Sequence, residues 1–381
     1  MVKVNTMELS LTAARAVFPE NTVTDAGMVD ANQSTPVKAP EQSKWILNCP
    51  LDLFFVCGGA MWLICFCAIP LYLISNSQAH TFLSLVLIGG ALIFADSHNA
   101  ATIVRFIDEP GLAARHPYVS VLLPALMVLC VLPSLLGSSE YLAYGMKLYL
   151  ILIAQHVTAQ AYGITMIYLR KTGLELSSRQ VGVIKIAFTA MMISGIARQF
   201  SVVATYEMMG VQVPYWPILP DLLNFVLGLI AVFASLVMFV VIRIQAQKSG
   251  KSIHPGAVLL AGNTLLLYTI GPVVGIFALL APAFFHGTQY LAVTTAHTMK
   301  QRSSDTSLNG APHLVTPRLL TGENTLYWTK VLTLGAVLYI VFPMALYRAG
   351  FSPIAAMAAV FCTVNFHHFA ADAVIWRRRN A

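Results

Sequence analysis

The stretch Leu222–Ile242, "LLNFVLGLIAVFASLVMFVVI", holds no ionisable side chain. At 1.5 Å per helical residue it matches the ~30 Å hydrocarbon core of a bilayer, where backbone polar groups must be satisfied within the protein. Runs of this kind recur along the chain, which has 381 residues, 57% of them hydrophobic and 10% charged. Soluble domains carry about 25% charged residues. A chain this poor in charge cannot clothe a water-facing surface. A transmembrane β-barrel would instead show alternating segments of about ten residues. The fold expected is therefore all-α, a polytopic membrane helical bundle.

About ten transmembrane helices are expected. They fall near Leu51–Ser75, His80–Phe106, Tyr118–Gly137, Tyr141–Leu169, Val181–Val203 and Trp216–Ile244. Two more share Gly256–Lys300, divided near Pro282, and the last two are Leu326–Tyr347 and Phe351–Trp376. The loop charges support this count. With the N-terminus inside, the cytoplasmic side collects Arg170, Lys171, Arg179, Arg243, Lys248, Lys251 and Arg377–Arg379, while the other side keeps only Arg348. Positively charged loops stay inside, so both termini are expected to be cytoplasmic. The net charge of +7 belongs to these loops, and no nucleic-acid partner is implied.

Residues 1–44 are polar and rich in Ser, Thr and Pro, as in "DANQSTPVKAPEQSK". No apolar core follows an early basic cluster, so a cleaved signal peptide is not expected. The segment reads as a disordered cytoplasmic tail before a single transmembrane domain, 45–381. The longest polar connection of that domain, 301–325, is expected to be a cytoplasmic loop. The six cysteines form no CxxC and most lie in apolar runs, which fits buried thiols better than disulfides or a zinc–thiolate site.

Polarity is concentrated in the even-numbered spans. The second carries Asp96 and His98, and the fourth carries His156 and Gln160. The eighth carries His286, Gln289 and Tyr290, and the tenth Asn365, His367, His368 and Asp372. All four run inward and end at a basic residue. His98 and the His367–His368 pair lie roughly 10–15 Å above their anchors, and His156 and His286 roughly 20 Å. With ordinary tilt these imidazoles share one layer. Within helices, His156 and Gln160 share a face, as do His286, Gln289 and Tyr290, and as do His368 and Asp372. His367 and His368 sit about 100° apart on the helix.

Ionisable groups at this depth are expensive and mark function. Imidazoles with a carboxylate suit iron, copper or zinc, and best suit non-haem iron and O₂ chemistry. The metal candidates are His98, His156, His286, His367 and His368. Asp372 completes or tunes the ligand set, and with Tyr290 forms the catalytic pair. Asp96, Gln160, Gln289 and Asn365 are supporting or substrate-contacting candidates. The function expected is a metal-dependent oxidoreductase acting on a hydrophobic small molecule that enters from the lipid bilayer, with room for a redox partner. Two rival functions are a proton-coupled transporter using a His/Asp relay and a non-catalytic membrane scaffold or assembly factor.

Four stretches, "DLFFVCGGAMWL", "SHNAATIVR", "FFHGTQY" and "HHFAADAVIW", together resemble a group of bacterial multi-pass proteins. Their histidine-bearing helices are similar to those of the Brp/Blh family, membrane enzymes that cleave β-carotene to retinal. The resemblance implies a non-haem iron oxygenase in the bacterial inner membrane with a lipid-soluble substrate. It implies His98, His156, His286 and His367 or His368 as ligands. The HxxxH and HxxHH boxes of membrane desaturases are absent from the sequence.

Overall fold

The computed structural model describes residues 44–73, 89–136, 140–201, 207–269, 277–307 and 322–375. The expected tail, the second span before residue 89, most of the 301–325 loop and the terminal Trp376–Arg379 lie outside these residues. The described chain is almost wholly helical, and its two strands, β1 (Glu207–Met208) and β2 (Val211–Gln212), make one small antiparallel hairpin.

The helices are α1 (Cys49–Val56), α2 (Gly59–Leu73), α3 (Ser97–Asp108), α4 (Pro110–Arg115) and α5 (Leu123–Leu136). They continue with α6 (Glu140–Lys171), α7 (Ser178–Arg198), α8 (Asp221–Lys248) and α9 (Pro255–Thr269). The last four are α10 (Phe277–Ser307), α11 (Gly322–Ala336), α12 (Phe342–Arg348) and α13 (Pro353–Ile375). Among the described residues, α6, α7, α8, Asn324–Arg348 and α13 are long and apolar enough to cross a membrane. The pair α1–α2 is a sixth candidate, bent by 58°. The bend sits at Gly58, whose φ of +99° is left-handed backbone that suits glycine. The chain is a multi-helix membrane protein. Its outward face shows this on α8, where Leu222, Phe225, Phe233 and Leu236 are exposed.

Local signals set the ends. Ser177 caps α7 in a reciprocal box with Gln180. Ser352 Oγ accepts the Ala355 N–H just ahead of α13, where Pro353 opens the helix without a donor to waste. The expected division near Pro282 is not there, because α10 runs through Pro282; residues 270–276 lie outside the described residues. A proline one turn into a helix forgoes only one backbone bond. The 301–325 loop is likewise shorter than expected, because α10 continues to Ser307. Lys147, inside a span, is buried and donates to the Gln199 carbonyl at the end of α7, with its ammonium 5.6 Å from the Trp216 ring.

Among the described residues, four π-helical turns interrupt the helices, at Asp52–Val56, Ala91–Asp96, Tyr118–Leu122 and Val337–Val341. Such turns are rare and often sit at functional sites. Each one here meets a polar helix. Thr288 of α10 donates to the Phe55 carbonyl at 2.8 Å, and Asn99 of α3 donates to Tyr339 at 2.6 Å. His367 of α13 lies 3.0 Å from the Val119 carbonyl. A Cβ on Gly287 of α10 would stand 2.2 Å from the Phe94 carbonyl oxygen, so only glycine permits this approach.

Candidate metal centre

Helices α3 and α6 each pack against both α10 and α13. Their contact zone holds His98, His156, His286 and His368, one imidazole from each helix and all buried. Ring centroids are 4.6 Å apart for His98 and His368, 4.8 Å for His98 and His286, and 4.5 Å for His156 and His286. Among the described residues, two groups of three bring their ligand atoms within 4.8 Å of one another, His98 with His286 and His368, and His156 with His368 and Asp372.

The second group is the tighter in detail. His156 Nε2 lies 3.1 Å from His368 Nε2, and Asp372 Oδ2 lies 3.7 Å from each. The point equidistant from these three atoms is about 2.0 Å from each, against metal–imidazole and metal–carboxylate bonds of about 2.0–2.2 Å. The other oxygen, Oδ1, accepts the Tyr290 hydroxyl at 2.8 Å, so Oδ2 is the one turned to the histidines. Both ring nitrogens of His286 are buried without a hydrogen-bond partner, and so are both of His98. Buried polar atoms without partners are costly. Bare buried imidazole nitrogens are what a cation satisfies.

The remaining candidates divide. Gln160 donates to Gln289 Oε1 at 3.0 Å and to the His286 carbonyl at 3.1 Å, which ties α6 to α10. Gln289 is fully buried and its Nε2 has no partner. His367 is turned away from the cluster, toward Val119 and with its ring near Phe106. Asn365 joins Asn99 and Tyr339 in a separate network. Asp96 closes the π-turn ahead of α3 and belongs to neither group of converging donors. Thr102, which the sequence did not single out, lies 2.7 Å from both His368 Nδ1 and the Tyr290 hydroxyl. It sits one helical turn beyond His98, on the same face of α3.

Between α10 and α11 lies a cavity of about 360 Å³ walled by Phe55, Phe94, Leu291, Trp328 and Leu332. No protein-family model, curated protein or solved structure matches this chain. The geometry therefore carries the functional reading.

Proposed function

We propose that the protein is a membrane metalloenzyme, an oxidoreductase of the oxygenase type, that uses non-haem iron on a hydrophobic substrate. One observation carries this: two imidazole nitrogens and one carboxylate oxygen surround a point at metal-bond distance. Two histidines and a carboxylate that leave open positions are the donor set of iron oxygenases. Bound iron would supply a redox-active Lewis acid with room for O₂ and substrate. Copper and zinc are accommodated by the same donors.

The chain's own residues do the rest. His156, His368 and Asp372 would hold the ion, and His98 and His286 stand beside them with further nitrogens. Tyr290 occupies the spare carboxylate oxygen and so fixes which atom of Asp372 faces the ion. Phe369 lies against His156 with ring centroids 4.5 Å apart, and together with the packed helices it keeps water from the centre. Gln289 offers an unused amide donor to substrate. The apolar cavity between α10 and α11 is the proposed entry from the lipid. The bundle has ten spans with both termini cytoplasmic, in the inner membrane of a bacterium, and draws electrons from a redox partner where the reaction needs them.

Oxygen uptake tests the proposal. Chelator-stripped protein in lipid vesicles regains O₂ consumption when Fe²⁺ and a bacterial lipid extract are added, and Asp372→Asn protein does not. Uptake that is indifferent to Fe²⁺, or a proton flux that depends on Asp372 without O₂ consumption, overturns it in favour of a transporter.

A further inference from the structure

Three hydroxyl and carboxyl groups form a chain behind His368. Thr102 Oγ1 is 2.7 Å from His368 Nδ1, and the same oxygen is 2.7 Å from the Tyr290 hydroxyl. Tyr290 then donates to Asp372 Oδ1 at 2.8 Å. Thr102 is fully buried and belongs to α3, Tyr290 to α10, and the two ends of the chain to α13.

Counting donors gives this chain a direction. A carboxylate only accepts, and a phenol has one proton to give. Tyr290 spends that proton on Asp372, so its oxygen is left to accept the Thr102 hydroxyl proton. Thr102 then has nothing left to donate and accepts from His368. Its partner there is Nδ1, which must carry the hydrogen.

We infer that Thr102 and Tyr290 are positioning residues that fix His368 as the Nδ1–H tautomer and leave its Nε2 lone pair bare for metal. The inference rests on the proposed metal centre and says which atom of His368 is prepared and by what. It also explains why one threonine touches two helices at once. Asp372 anchors the chain at one oxygen and serves the ion with the other, so the group that receives the final hydrogen bond is itself a ligand. A ligand's second hydrogen bond sets its tautomer and ring orientation, and losing that bond typically costs about 10–100-fold in metal affinity.

The test combines two readouts on full-length protein in detergent. The first is ¹⁵N NMR of histidine-labelled, metal-free protein, with the His368 signal identified by its absence from His368→Gln. The second is Fe²⁺ affinity under anaerobic conditions, by competition with a chromogenic chelator. The wild type is expected to carry its proton on Nδ1 of His368. Thr102→Val is expected to lose that preference and bind Fe²⁺ about 10–100-fold more weakly, and Thr102→Ser to restore both. Should the valine variant fail to fold, Tyr290→Phe gives a second route. It frees the Thr102 hydroxyl proton to turn toward His368, and so mixes the tautomers. A His368 proton found on Nε2 in the wild type overturns the inference, and so does a Thr102→Val protein with wild-type tautomer and affinity. If the wild type binds no Fe²⁺ yet shows the Nδ1–H form that Thr102→Val loses, the positioning role stands and the metal centre falls.

Discussion

At the scale of single residues, His367 and His368 are adjacent and chemically identical, yet only one faces the cluster. His368 stands among three other imidazoles, while His367 reaches the Val119 carbonyl at 3.0 Å. His367→Ala is therefore expected to leave metal content intact and to destabilise the fold by about 1–2 kcal/mol through the lost buried hydrogen bond. Parallel metal analysis and thermal unfolding of the variant check both halves. Much of the site was readable in the sequence at this scale. Depth along four inward-running helices joined His98, His156, His286 and His368, and the four-residue step to Asp372 placed its carboxylate beside His368. The choice between His367 and His368 was not readable, because it depends on how α13 is rotated, and that is set by packing. Thr102 was not readable either. Threonines in spans usually bond to their own helix, as Thr158 does to Ala154, so nothing in the letter marks one that reaches across.

At the scale of elements, α10 is held against the π-turn before His98 by direct backbone contact at Gly287. Any Cβ there forces the two elements apart. Gly287→Ala is expected to cost about 1–3 kcal/mol, as overpacking does, and to displace His286 from the cluster. A lower unfolding temperature together with weaker metal binding is the expected result. The π-turns themselves escape a reading of sequence, since one extra residue in a uniformly apolar helix leaves the hydrophobic pattern unchanged. So does the continuity of α10 through Pro282, because an uninterrupted apolar run looks the same wherever its helices divide. The segment before α9 supports a pH prediction. His254 is buried beside Trp45, with ring centroids 4.4 Å apart, and stacks on Tyr168 at 4.5 Å. Burial lowers its pKa, and the nearby Lys171 and Lys44 ammonium groups lower it further. In the unfolded chain an imidazole titrates near 6.5, so below that pH the unfolded state binds the extra proton. Stability from this group is full above that pH and is lost as the pH falls. The fluorescence of Trp45 is expected to change as the pH falls below about 6.5 in the wild type, and to stay flat in His254→Gln.

At the scale of the whole molecule, the all-α membrane bundle followed from composition and apolar run length. Five long apolar helices and one bent pair among the described residues accord with that. The full span count depends on connections between helices, and cysteine-accessibility labelling of each loop tests ten spans with both ends inside. The cavity between α10 and α11 makes a further claim. Ala292 is one of its lining residues and belongs to neither group of converging donors. Ala292→Phe is expected to fill part of the cavity, raise the KM for a hydrophobic substrate several-fold and leave metal content unchanged. An unaltered KM would place substrate entry elsewhere. The central claim is that the converging donors of α6 and α13 bind a transition metal. Elemental analysis of purified wild type, His156→Ala, His368→Ala, Asp372→Ala and His367→Ala tests it most directly. The account predicts stoichiometric iron in the wild type and His367→Ala, and its loss in the other three. A wild type without iron, copper or zinc, or triad variants that keep a full complement, would contradict it.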